Sequence, residues 1–180
     1  PHMEEGGELD RELASLELSI TTVVGLTGKR TLKMLGKVGN REVLVLIDCG
    51  ATHNFVSNAL VTELSIPTEQ AQRCSVTVGD GRKTVSNLKC PEVELEIQGQ
   101  QIRQPFYPFR LSNVDLVLGI EWLESLGEIR MNWRQLYMKI RIGGKWVCLK
   151  GDPAFTKSQG SYRSIKKDIW KEGGGYLTEL

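Results

Sequence analysis

The residue best placed to do chemistry in this sequence is Asp48, which directly follows the apolar run at positions 43–47. The run has the length of a strand, and an ionisable carboxyl at the end of a buried strand is costly unless it has partners. Gly50, two residues later, lets the backbone turn tightly and lets another segment come close. Taken alone, this Asp-x-Gly triplet favours a plain interpretation, in which Asp48 caps a turn before a helix.

A second segment has a related pattern: the apolar run 116–118, then Gly119, then a short amphipathic helix around Trp122. A glycine-rich hairpin signal at 79–81 lies between the two segments. Apolar strand, Asp-x-Gly-Ala, hairpin, then apolar-apolar-Gly and a helix together resemble the retropepsin pattern. The continuation Thr-His-Asn-Phe at 52–55 is similar to the proteases of gypsy-type LTR retrotransposons, especially plant ones. The resemblance runs in order over roughly residues 16–153.

The resemblance implies aspartic proteolysis, in which two carboxyls share one proton and hold a water between them. One carboxyl acts as general base on the water, and the other polarises the scissile carbonyl. The sequence contains a single Asp-x-Gly, because 115–117 lacks the glycine. Catalysis would therefore need a homodimer with one Asp48 from each subunit on a two-fold axis. The reaction needs no cofactor and no metal.

The resemblance also assigns an active-site loop, a flap and substrate subsites. The flap would close over a bound peptide and exclude water, although an ordinary tight hairpin is the plainer alternative. For the histidine in the subsites, a surface residue after a turn is the alternative. The active-site loop comprises Cys49, Gly50, Ala51 and Thr52; the flap comprises Val78, Gly79, Asp80 and Gly81; the subsites comprise Leu46, His53, Val117 and Ile120.

The sequence departs from the family at position 49, where Cys49 replaces the usual serine or threonine. In the family, that hydroxyl reaches across the dimer axis, and a thiol is larger and a weaker donor. Two alternatives therefore stay open. One is a catalytically weak or inactive retropepsin-fold module for dimerisation or peptide binding, and the other is a cysteine-protease dyad of Cys49 with His53. An intersubunit Cys49 disulfide is a further hypothesis.

Strand-like periodicity dominates the chain and predicts an all-β fold, a small barrel or sandwich with one or two short helices. The resemblance implies that this fold is a closed barrel and that it pairs with an identical copy. Turn signals at 39–40, 79–81, 98–100 and 143–144 each separate two strand-like segments. The spacing of apolar residues predicts a helix over 54–64 with Asn54 as N-cap, and a second over 121–126.

We expect three regions: residues 1–15, a cloning scar with an acidic extension; residues 16–151, the domain that resembles the proteases; and residues 152–180, a linker with a helical turn around 165–171. The resemblance implies that this linker is a connector toward reverse transcriptase. With 23 basic and 22 acidic residues the net charge is only +1. Because the sequence also contains no zinc knuckle, aromatic ladder or basic patch, we expect no nucleic-acid binding.

The sequence contains no apolar run of eighteen residues, so it predicts no membrane-spanning helix. Four cysteines without CxxC spacing favour a reducing, cytoplasmic setting and no metal site. The resemblance implies that this setting includes virus-like particles, and that the partners are a second copy of the chain and peptide segments of the chain's own polyprotein.

Overall fold

A computed structural model describes residues 16–17, 31–77 and 83–157, in which the chain forms strands and three short helices. Along the chain, hairpins of longer strands are separated by short strands of three residues. The strands are β1 (Leu16–Glu17), β2 (Thr31–Val38), β3 (Arg41–Asp48), β4 (Phe55–Ser57), β5 (Glu69–Thr77), β6 (Lys83–Ile97), β7 (Gln100–Phe109), β8 (Leu116–Leu118), β9 (Arg130–Asn132), β10 (Tyr137–Ile142) and β11 (Lys145–Lys150), and the helices are α1 (Asn58–Leu64), α2 (Ile120–Ser125) and α3 (Pro153–Lys157).

Six of these strands close into a barrel. The large sheet has the order β1-β5-β6-β2-β3-β8-β4-β7, and an additional pairing between β6 and β7 joins its far edge back to β6. β5 and β1 extend outward from the first half of β6, so β5 and β6 form a two-stranded ribbon. The predicted all-β closed barrel with short helices is confirmed.

Hairpins connect neighbouring strands at three of the predicted turns. Gly39 and Asn40 join β2 to β3, Gln98 and Gly99 join β6 to β7, and the pair 143–144 joins β10 to β11. Gly39 and Gly99 have φ values of 59° and 84°, which glycine adopts without steric penalty. The fourth turn signal lies in 78–82, outside the described residues, but the strands on either side of it pair antiparallel.

Side chains of β3 alternate between two apolar clusters, as a strand buried on both faces requires. Val43, Val45 and Ile47 point into the barrel core. Leu44 and Leu46 point to the other face, and we call the cluster there the outer cluster. Asp48 is the next even-numbered residue of β3, so its side chain lies on the same face as Leu44 and Leu46. The outer cluster comprises Leu44, Leu46, Ala51, Phe55, Val76, Phe109, Val114, Val117 and Phe155.

Two sequence-based boundaries are corrected by the structure. The helix expected over 54–64 begins only at Asn58, because Phe55–Ser57 pairs with β7 and β8 as strand β4. Asn54 is consequently not an N-cap. The periodicity also predicts separate strands at 83–88 and 92–97, whereas Lys83–Ile97 forms one continuous strand, β6, whose register shifts between Cys90 and Val93.

A separate three-stranded sheet with the order β11-β10-β9 covers one side of the barrel core. Its inward side chains Met138, Ile140 and Leu149 are fully buried there. The turn signal at 143–144 predicts the hairpin β10–β11, whereas no pattern predicts β9, because Arg130–Asn132 is only three residues long and is separated from the end of α2 by only four residues.

Helix α3 packs against the outer cluster through Phe155, which is buried. The backbone N–H of Asp152 donates to the carbonyl of Lys33 at 2.8 Å, and the Asp152 carboxylate accepts from the N–H of Ala154 at 2.9 Å. The folded part thus extends beyond the predicted boundary at 151, because one large apolar side chain in the expected connector finds an apolar partner surface. The helical turn expected around 165–171 lies outside the described residues.

Of the helices in the described residues, none has the length and apolar character needed to cross a membrane.

Replacing Phe155 by alanine should destabilise the domain. Phe155→Ala removes a fully buried aromatic ring, so we expect the free energy of unfolding to fall by about 3–5 kcal/mol. Urea unfolding followed by fluorescence measures this change. Ile142→Ala is the matched control, because Ile142 is 37% exposed and its loss should lower the free energy of unfolding by less than about 1 kcal/mol. Equal effects of both variants would contradict the packing of α3.

Candidate active site

Asp48 is the last residue of β3, at the point where this central strand leaves the barrel. Its side chain is only 3% exposed. The N–H of Gly50 donates to Asp48 Oδ1 at 2.8 Å, and the N–H of Ala51 donates to the Asp48 carbonyl at 3.2 Å. The tight turn therefore holds the carboxyl of Asp48 with the backbone of its own loop, as an ionisable group at the end of a buried strand requires.

The loop after Asp48 is clamped to the start of α2. The N–H of Ile120 donates to the carbonyl of Ala51 at 2.8 Å, and that of Glu121 donates to the carbonyl of Thr52 at 3.2 Å. A Cβ on Gly119 would lie 2.6 Å from the Ala51 carbonyl oxygen and closer still to that of His53. Only glycine permits this approach, which explains the apolar-apolar-Gly signal in the sequence.

Asn54 connects the active-site loop with two other parts of the barrel. It is completely buried. Its Oδ1 accepts from the N–H of Gly119 at 3.0 Å, and its Nδ2 donates to the carbonyl of Pro105 at 3.2 Å. The Asn54 carbonyl accepts from the N–H of Tyr107 at 2.9 Å. A buried amide satisfied on both sides fixes the loop, α2 and β7 relative to one another.

Asp115 supports the site from outside the catalytic loop. Its Oδ2 accepts from the N–H of Leu44 at 2.8 Å, and its own N–H donates to the carbonyl of Leu44 at 2.9 Å. The Asp115 carbonyl accepts from the N–H of Ser57. Asp115 thus continues the pairing of β3 just before β8 begins. The sequence around Asp115 lacks the glycine of an Asp-x-Gly triplet, and no local pattern indicates a partner 71 residues away.

The sequence-predicted site residues fall into four environments. Ala51, Leu46 and Val117 are completely buried, all three inside the outer cluster, so they line no open surface of this chain. Thr52, His53 and Ile120 are half-buried beside the loop. Cys49 and Gly50 are exposed at its tip. The flap residues 78–81 lie outside the described residues, and only the ribbon that would carry them is seen.

His53 is more than a surface histidine after a turn. Its Nδ1 lies 2.9 Å from Thr52 Oγ1, and its ring meets Tyr107 edge-on with 5.5 Å between centroids. Burial lowers the pKa of His53, the Glu121 carboxylate acts in the opposite direction, and the Lys89 ammonium adds to the lowering. The neutral imidazole is therefore favoured at the site.

Lys89 and Glu121 are the two charged residues that act on His53. Lys89 Nζ lies 5.7 Å above the centroid of the Tyr107 ring. The Oε2 of Glu121 is buried without a hydrogen-bond partner among the described residues. Within 31–77 and 83–157, no three His, Cys, Asp or Glu side chains gather closely enough to hold a metal ion.

Adding a methyl group at Gly119 should disturb the clamp. Because its Cβ would overlap two backbone carbonyls, we expect Gly119→Ala to lower the free energy of unfolding by about 3 kcal/mol. Gly127→Ala, beyond the other end of α2, is the control. There the added Cβ has nothing within 4 Å and only the φ of 70° is unfavourable, so the expected loss is about 1 kcal/mol. Chemical unfolding of both variants measures the difference, and similar values would argue against the close approach.

Comparisons with known proteins identify the fold and the family of this chain. The crystal structure of the retroviral protease-like domain of Ddi1 from Leishmania major is similar in fold, with a TM-score of 0.53 and 16% sequence identity over 69% of this chain and 95% of that one. None of the curated proteins compared with this chain matches it. The family model described as retroviral aspartyl protease matches residues 34–140, more than half of the chain and including the strand, loop and glycine clamp around Asp48. The chain therefore belongs to the retroviral aspartyl protease family.

Proposed function

We propose that this protein is an aspartic endopeptidase that acts as a homodimer with one catalytic Asp48 from each subunit. The observation that carries the proposal is the setting of Asp48. The carboxyl lies at the end of a buried strand, accepts a hydrogen bond from Gly50, and sits in a loop fixed by Gly119 and Asn54. Membership of the family supports the same reaction.

The homodimer follows from the number of carboxyls that the reaction needs. The whole sequence has a single Asp-x-Gly, and the loop tip formed by Cys49 and Gly50 is exposed next to the buried Asp48. A second copy related by a two-fold axis would bring an identical loop to this point. Two carboxyls in contact would then share one proton, because like charges a few ångströms apart do not both stay ionised.

In the proposed reaction, the ionised Asp48 takes a proton from a water while the protonated Asp48 of the partner copy donates a hydrogen bond to the scissile carbonyl oxygen. The resulting hydroxide adds to the carbonyl carbon. The C–N bond then breaks, and the amine nitrogen leaves with a proton from the carboxyl pair. The loop clamped by Gly119 keeps each carboxyl in place during these proton transfers.

We propose extended peptides as substrates, bound as an added strand between the active-site loop and the β5–β6 ribbon. The first half of β6, from Lys83 to Leu88, is mostly exposed, and Val85 is 47% exposed. This ribbon is therefore open to a peptide. The resemblance to gypsy-type retrotransposon proteases points to segments of the element's own polyprotein, cut inside a reducing compartment or a virus-like particle.

Asp48→Asn should abolish cleavage without preventing dimerisation. The substitution keeps the shape of the side chain but removes the acid–base group, so we expect cleavage of a peptide library at about pH 5 to fall by about 10³-fold or more. Light scattering across a concentration series measures mass on the same fractions. Glu124→Gln, on the exposed side of α2, is the matched control and should cleave normally. Cleavage by Asp48→Asn at the rate of the unchanged chain, or equal cleavage at about pH 5 and about pH 9, would sink the proposal.

Cys49→Ser should strengthen the dimer. A hydroxyl is the better donor across the proposed axis, and one added hydrogen bond should lower the dimer dissociation constant roughly fivefold. Sedimentation of both forms measures the constant, and Cys148→Ser, an exposed cysteine on β11, is the control. If both the unchanged chain and Cys49→Ser form dimers that cleave no peptide, the result would instead favour a dimerisation or peptide-binding module.

A further inference from the structure

The three-stranded sheet has two faces of opposite character. Its inner face packs Met138, Ile140 and Leu149 into the barrel core. Residues directly opposite each other in a sheet share a face, so the pairing register defines the outer face. Lys139 lies opposite both Arg130 and Cys148, and Arg141 lies opposite Trp146. We call this side the outer sheet face, comprising Arg130, Asn132, Tyr137, Lys139, Arg141, Trp146, Cys148 and Lys150.

The outer sheet face is strongly basic. It carries Arg130, Lys139, Arg141 and Lys150, and β9, β10 and β11 contain no acidic residue at all. Arg130 forms an ion pair with Glu128 at 3.5 Å, with both side chains at least 60% exposed. Such an exposed pair contributes little and is screened by salt. The positive charge of the face is therefore largely uncompensated by its surroundings in the described chain.

Aromatic rings are interleaved with these basic groups. The guanidinium of Arg130 lies 4.3 Å from the centroid of the Trp146 ring, and that of Arg141 lies 5.5 Å from it. Lys139 Nζ lies 5.7 Å from the Tyr137 ring. These contacts stabilise the sheet, but they also fix the cations on a flat surface, where an arginine packed on a ring keeps its in-plane N–H donors for a phosphate. Trp133, 40% exposed in the turn beside β9, adds another ring.

We propose that the outer sheet face binds single-stranded nucleic acid. Phosphates would contact Arg130, Lys139, Arg141 and Lys150, while unpaired bases would stack on the aromatic and guanidinium surfaces beside them. The charge selects a polyanion, and the flat rings select one that carries bases rather than an acidic peptide. No basic patch stands out in the sequence because the basic residues occupy alternate positions of three strands, and only the register brings them together.

The proposed surface is separate from the candidate active site. The sheet packs on the barrel core, into which the odd-numbered side chains of β3 point, whereas Asp48 follows the even-numbered series toward the outer cluster. Binding of nucleic acid and peptide cleavage are therefore measured independently, and either proposal stands without the other.

Fluorescence polarisation of labelled single-stranded RNA and DNA oligonucleotides of about twelve residues, titrated with the full chain, tests the proposal. We expect saturable binding of both, which weakens as salt rises from about 50 to about 200 mM. The slope of log K against log salt should be about −3, since each of four phosphates contributes about −0.7. The double variant Lys139→Glu/Arg141→Glu should bind at least about tenfold more weakly.

The matched control is Lys37→Glu/Arg103→Glu, which makes the same charge change at exposed positions of β2 and β7 and should bind within about twofold of the unchanged chain. Trp146→Leu, checked for unaltered thermal unfolding, should weaken binding about tenfold through lost stacking. Absence of saturable binding, or an equal loss in the control, would overturn the proposal. Equally tight binding of polyglutamate or of anionic vesicles, with the same response to the variants, would also overturn it by assigning the face to another polyanion.

Discussion

The arrangement around Asp48 depends on the close crossing of two chain segments at Gly119. Here the start of α2 lies so near the carbonyls of Ala51 and His53 that no side chain fits. The same crossing allows two N–H groups of α2 to reach carbonyls of the loop. Without it, the loop behind Asp48 would lose its two backbone hydrogen bonds to α2, and a short irregular segment has little stability of its own.

Two buried or half-buried polar side chains extend this crossing into the barrel. Asn54 ties the loop to α2 and β7, and Asp115 completes the pairing of β3. Each uses its oxygen to satisfy a backbone N–H that the strands or helix leave unpaired, and a buried N–H of this kind would otherwise carry an unfavourable free energy. Polar groups therefore define the geometry of the site, while the two apolar clusters supply its stability.

Local sequence patterns predicted the parts of the molecule that depend on local rules. The Asp-x-Gly turn and the hairpins at 39–40, 98–100 and 143–144 follow from backbone conformation, and the alternation of β3 follows from burial. The reason for Gly119, its close approach to Ala51 and His53, appears only in the folded chain. Asn54 was misassigned as an N-cap because its partners, Gly119 and Pro105, are distant in sequence. The basic character of the outer sheet face was missed for the same reason, since it arises from strand register and leaves the net charge near zero.

Strand β6 belongs to two structures at once. From Lys83 to Lys89 it pairs with β5 in the projecting ribbon, and from Cys90 to Ile97 it pairs with β7 in the barrel wall. Its register shifts at this junction, where Pro91 has no N–H to contribute to the ladder. A displacement of the ribbon is therefore transmitted to the barrel wall through one continuous strand, which changes its pairing partner near Pro91, and no loop intervenes.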